Sequence, residues 1–179
     1  IYNAMNKGIM LSSGEIIGFV NSDDFLSDTT IISKIVNFHI SNNLDASIGN
    51  INQINFEGRV VRHYNSANWN PNKLKYGIMP AHPALFVNKI IFQNYGLFDE
   101  NFKIAADYDF FIRLFLKTNI NWKYLNIVTT TMLIGGVSSS GFTSYKLISK
   151  EISEALRKNK IPHFRFIIYL RMFYKIKEL

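Results

Sequence analysis

The chain has 179 residues, of which 47% are hydrophobic, 15% aromatic and 18% charged; this supports one domain with a sizeable core and excludes an intrinsically disordered chain. There is no cysteine, which excludes a disulfide framework and any thiolate metal site. The net charge of +7 points to anionic partners, but the basic excess lies mainly after Lys146, no apolar run reaches the roughly 18 residues of a membrane-spanning helix, and no signal peptide is visible.

The chain opens at Ile1 directly on a helical pattern, so a segment is expected to precede it. Residues 2–11 read as a short helix with Ala4, Met5, Ile9 and Met10 on its apolar face, ended by Ser12-Ser13-Gly14. Residues 16–20 are an apolar run between turn residues, the pattern of a central strand buried on both faces in a parallel sheet. Asp28 or Thr29 caps the next helix, whose buried side holds Ile31, Ile32, Ile35, Val36 and Phe38. Residues 46–49 are a second strand, and residues 50–64 alternate like a hairpin turning at Glu57-Gly58.

An Asn-rich loop spans 66–75, followed by a strand at 84–87 and a helix at 88–95 that Gly96 ends. Asp107 opens a strong helix carrying Phe110, Phe111, Leu114 and Phe115. Residues 122–134 hold one or two strands. A Ser/Gly-rich loop begins at Gly135-Gly136, and the chain from Tyr145 onward is helical with a break at Pro162. Strands alternating with helices give an α/β fold with an antiparallel hairpin inserted.

Open α/β sheets place ligands beyond the carboxyl ends of their strands. There the sequence has Asn21-Ser22-Asp23-Asp24. Two adjacent acids can bind a hard divalent cation through oxygen, and the same residue types also make an ordinary Asx turn. Spacing leaves both readings open. Asp107 is likewise either a helix cap or a carboxylate positioned to take a proton. As a group at a helix N-terminus it is expected to be held ionised, with modest basicity.

The stretch YNAMNKGIMLSSGEIIGFVNSDDFL resembles the middle of a glycosyltransferase family 2 domain. YGIMPAHPALFVNKIIFQNYGLFDENFKIAADYDFFIRLF resembles the acceptor half of the same family, and MLIGGVSSSG its late loop. Three ordered motifs at family-like separations are more specific than one. The resemblance covers roughly residues 2–160 and implies a GT-A-like fold with a mixed central sheet, N-terminally truncated, followed by C-terminal helices. It divides the chain into a partial GT-A domain at 1–144 and a basic helical extension at 145–179.

The resemblance also implies roles. Asn21-Ser22-Asp23 occupies the family's D-x-D-type motif, with Asn21 replacing the first Asp. Asp23 is then the principal ligand of Mg²⁺ or Mn²⁺, and Asn6, Asn21, Asp23 and Asp24 contact the donor. Asp107 takes the position of the catalytic base, with Ala106 where the family has Glu. Asp109 is the competitor for that role, or an acceptor or phosphate contact. His82, stiffened by Pro80 and Pro83, is expected to contact acceptor or phosphate, or else to bond nearby backbone. The family's late-loop metal-completing His has no counterpart at residues 135–138. Trp69 could stack on a sugar ring or pack on the core.

The implied function is transfer of a sugar, with inversion, from a nucleoside-diphosphate donor to a hydroxyl of a glycan or lipid-linked acceptor in bacterial surface-polysaccharide synthesis. The alternative is a non-catalytic assembly subunit with the same fold. Residues 161–179 mix Arg165, Arg171, Lys175 and Lys177 with many aromatics, which suits an anionic membrane surface or a packed terminal helix. The expected location is cytoplasmic, peripheral on the inner face of the plasma membrane. No nucleic-acid recognition motif is present.

Overall fold

The computed structural model describes residues 1–135 and 141–176. In chain order the elements are α1 (Tyr2–Leu11), β1 (Ile16–Ile17), β2 (Phe25–Leu26), α2 (Ile31–Asn42), β3 (Ala46–Ile54), β4 (Val60–Tyr64), β5 (Leu85–Asn88), α3 (Lys89–Tyr95), α4 (Ala106–Leu116), β6 (Trp122–Leu133), α5 (Gly141–Lys158) and α6 (Arg165–Ile176). Short 3-10 helices at Pro71–Tyr76 and His82–Ala84 interrupt the run between β4 and β5.

Among the described residues six strands form one mixed sheet in the order β1-β5-β3-β6-β2, with β4 also paired to β3. β3 is its axis. Along one side it runs parallel to β6 from Ala46 opposite Trp122 to Ile54 opposite Leu133. On the other it pairs antiparallel first with β5, through Ala46–Ile48, and then with β4, through Ile51–Ile54. The hairpin turns at Gly58, whose φ of +77° favours a residue without Cβ.

The strand expected at 16–20 is shorter and differently placed. β1 is two residues long, stands at the end of the sheet and pairs antiparallel with β5. An apolar run reports burial, not the direction or number of its neighbours. At Gly18 the backbone passes so close to Phe86 that a Cβ would lie 2.5 Å from its ring. Phe19 then leaves the ladder for an aromatic cluster, and Val20 is exposed.

The face of α1 also differs. Tyr2, Asn6 and Ile9 are buried, while Ala4 and Met10 are exposed. The spacing is helical, but a polar residue occupies the middle of the inward stripe.

The core collects on α4. Tyr108, Phe110, Phe111, Ile112 and Leu114 all have under 2% exposure. Phe110 stacks on Phe92 at 4.7 Å. Trp69 meets Phe111, Phe115 and Trp122 edge-on and donates its indole N–H to the Ile78 carbonyl. Its place is therefore against the core, where it is partly buried. Ile152, Ala155 and Leu156 of α5 and Ile168 of α6 belong to the same core, so the C-terminal helices share the hydrophobic interior of the sheet domain.

Candidate active site

After β1 the chain makes a tight turn. The Asp24 N–H donates to the Asn21 carbonyl at 3.1 Å, and Asn21 Nδ2 donates to Asp24 Oδ2 at 2.6 Å. β2 then pairs with β6, Phe25 opposite Thr131 and Leu26 opposite Thr130. This fixes the turn beside the end of β6, where the Leu133 N–H reaches the Asp24 carboxylate. Partial burial raises the Asp24 carboxyl above its ordinary range; the Asn21 bond opposes this and the Asp23 charge adds to it.

Asp23 is exposed. Among the described residues neither carboxylate has a salt bridge. Two neighbouring acids without a cation suit a divalent ion, and Asn21 serves here as the donor that orients Asp24. Among the described residues no three His, Asp or Glu side chains gather. Among the described residues the turn thus presents two carboxylates, Asp23 and Asp24. Gly135 has a φ of +117°; the rest of the Gly/Ser loop, residues 136–140, lies outside the described residues.

A row of rings joins this turn to Asp107. Phe19, two residues before Asn21, stacks on His82 at 5.2 Å. Both meet Phe98 at 5.5 Å, and Phe98 meets Tyr2 at 5.7 Å. The Tyr2 hydroxyl donates to Asp107 Oδ1 at 3.3 Å.

Asp107 lies in the first turn of α4, and its Oδ1 also accepts the Tyr108 N–H at 2.7 Å. Burial pushes its carboxyl up to about 6, against the bonds from Tyr108 and Tyr2; the nearby Glu151 charge adds to the rise. Of the acid expected to be held ionised with modest basicity, the modest basicity is corrected, because desolvation outweighs the helix terminus; at neutral pH the carboxyl is still mainly ionised. Burial and the Asp107 charge raise the Tyr2 phenol well above its usual range, so it remains a donor.

Two other expected contacts are already committed elsewhere. Asp109 is fully buried; Arg113 Nε donates to its Oδ2 at 2.9 Å and Asn159 Nδ2 to its Oδ1 at 2.7 Å. It packs α4 against Arg113 and the end of α5, with both carboxylate oxygens engaged. Asn6 is also buried. Its amide donates to the Phe98 carbonyl and to Glu100, and its oxygen accepts the Phe98 N–H. This clamp holds α1 to residues 98–100 and leaves no amide group for a donor.

His82 keeps a ring nitrogen, Nε2, buried and without a hydrogen-bond partner among the described residues. Burial pushes the imidazole down to about 4. It is neutral at physiological pH, so it cannot hold a phosphate by charge, and its role is confined to hydrogen bonding.

Tyr2 and Glu151 escaped the sequence reading. Tyr2 stands 105 residues from Asp107, and Glu151 is one acid in a helix rich in lysine. Neither carries a local signal.

The structure resembles the crystal structure of S. aureus TarS 1-349, with a TM-score of 0.63 and 16% identity over 98% of this chain and 52% of that one. It also resembles the same protein in complex with UDP-GlcNAc, with a TM-score of 0.59 and 19% identity over 84% of this chain and 45% of that one. These likenesses show the GT-A fold. In sequence, the chain is 23% identical over 174 residues to PGL/p-HBAD biosynthesis glycosyltransferases of Mycobacterium bovis and Mycobacterium tuberculosis, covering 95% of this chain and 63% of theirs. It thus spans less than two thirds of the length of these relatives. The description "Glycosyl transferase family 2" matches residues 1–125. With most of its length inside that match, the chain belongs to glycosyl transferase family 2.

Proposed function

We propose that the protein transfers a sugar, with inversion, from a nucleoside diphosphate to a hydroxyl of a glycan or lipid-linked acceptor, with Asp107 as the base. The observation that carries this is the Asp107 carboxylate itself. It is oriented by Tyr2 and Tyr108, raised to about 6 by burial, and joined by packed rings to the acidic turn. A base poised near neutrality can take the acceptor proton as the sugar carbon is attacked. Fixed geometry supplies the proximity advantage.

Asp23 and Asp24 would hold Mg²⁺ or Mn²⁺ and, with Asn21, face the diphosphate. Such an ion, when bound, neutralises charge on the departing diphosphate. UDP-GlcNAc in a TarS structure supports a nucleotide-sugar donor and makes it the first probe. The test is a screen of sugar nucleotides for Mn²⁺-dependent hydrolysis and transfer. Turnover with none of them would sink the reading in favour of a non-catalytic protein. In the same assay Asp23→Asn should weaken metal-dependent donor binding about tenfold or more, the scale of one lost charge-assisted contact. Unchanged metal dependence would remove Asp23 from the site.

The same proposal places the protein on the cytoplasmic face of the membrane through α6. No helix among the described residues is long and apolar enough to cross a membrane. α6 docks through Ile168 and leaves Phe164 and Phe166 more than 70% exposed beside the exposed Arg165. Aromatic side chains flanked by positive charge suit an anionic interface. Replacing both phenylalanines by serine should reduce co-sedimentation with phosphatidylglycerol vesicles several-fold and leave the melting temperature unchanged. Equal sedimentation of variant and parent would reject the surface.

A further inference from the structure

Glu151 places a charge where charge is costly. It lies on α5 with 5% exposure and has no salt bridge among the described residues. Its carboxylate instead accepts three consecutive backbone N–H groups. Oε1 takes that of Lys103 at 3.0 Å; Oε2 takes those of Ile104 and Ala105, each at 2.9 Å. Three charge-assisted bonds replace the water lost on burial.

These three residues immediately precede α4. From the other side the Tyr2 hydroxyl shares its single proton between the Ile104 carbonyl and the more distant Asp107 Oδ1, and the Ala105 carbonyl accepts the Asp109 N–H at 3.0 Å. The segment is thus gripped through its N–H groups by α5 and through a carbonyl by α1, two residues before Asp107. Ala105, at the start of α4, makes no side-chain cap. No local side chain does this work.

We propose that Glu151 is the positioning residue for the base: by fixing the backbone of residues 103–105 it sets where the Asp107 carboxylate stands. This rests on Asp107 as the base. It also assigns α5, which lies beyond the residues 1–125 that match the family, a part in the active site. The groups that face the Asp107 carboxylate are Tyr2 from α1, Glu151 from α5 and the Tyr108 N–H of its own helix. Removing the Glu151 charge therefore has a definite sign: the Asp107 carboxyl titrates at lower pH.

The test uses Glu151→Gln and the shorter, still charged Glu151→Asp. The Gln amide nitrogen cannot accept an N–H, so part of the grip is lost. Two readouts need no substrate. Amide exchange at residues 103–105 should quicken at least tenfold in the Gln variant. The ¹³C carboxyl signal of Asp107, identified by its absence in Asp107→Asn, should titrate at lower pH. With the donor found in the screen, kcat should fall about tenfold to 100-fold at little change in donor KM. The Asp variant should quicken exchange while keeping the Asp107 titration nearer the parent's.

Unchanged exchange and unchanged Asp107 titration in a folded Gln variant would overturn the assignment. If that variant does not fold, unchanged exchange at residues 103–105 in Glu151→Asp would do so. Full turnover in Asp107→Asn would sink the base reading instead, and the two failures are distinguishable because exchange and titration are independent of the chemistry.

Discussion

Asp107→Asn should lower turnover about 100-fold or more while donor affinity is retained. The amide keeps the shape of the side chain and can still accept from Tyr2 and Tyr108, but it cannot take a proton. In the parent enzyme the rate should rise with pH through about 6 as Asp107 loses its proton, and this rise should vanish in the variant. Equal loss of donor binding and turnover would mean that Asp107 belongs to the donor site instead.

The same substitution carries an opposite effect on stability. The folded protein holds the Asp107 proton up to about 6, whereas an unfolded chain releases it near 4. Between those values the native state binds more protons, so stability falls as pH rises. The contribution is fully present below about 4 and lost above about 6. Asn has no such loss, so the variant should be more stable than the parent at pH 8 by up to about 3 kcal/mol and equal to it near pH 3. Urea unfolding at the two pH values measures this. A variant less stable at both would show that burial costs Asp107 nothing.

Asp109→Ala should behave in reverse, costing stability rather than chemistry. Its carboxylate is fully buried between Arg113 and Asn159. Arg113 also donates to the carbonyls of Tyr95, Gly96 and Leu97, so Asp109 indirectly holds the segment before Phe98. Removing Asp109 leaves the Arg113 charge without its carboxylate and takes one acceptor from the Asn159 amide, which keeps the Ala155 carbonyl. The expected cost is about 3–5 kcal/mol, read as a fall in melting temperature on the order of 10 °C for a chain of this size. At a temperature where the variant is folded, turnover should stay within a few-fold of the parent. A loss of turnover at full stability would return Asp109 to the catalytic site.

Much of the framework was legible in the sequence because it is local. The helix Tyr2–Leu11, the hairpin turning at Gly58, the helix after Asp107 and the break near Pro162 follow from apolar spacing, turn residues and capping. So did the family, since its motifs are short and ordered along the chain. What local pattern could not decide was which polar side chains were free. Asn6, Asp109 and Asp107 are all polar residues on helices, and no spacing rule separates them. Their partners lie 50 to 105 residues away: Asn159 for Asp109, Phe98 for Asn6, Tyr2 for Asp107. Tertiary packing used the three differently, burying Asn6 and Asp109 and leaving Asp107 half-buried. It satisfied Asn6 and Asp109 completely and left Asp107 desolvated with weak compensation, which raises its basicity. The sequence by itself determined the family and most of the helices; only the packed structure decided how far each carboxylate is desolvated and paired, because that depends on the water and charge that distant residues remove or supply.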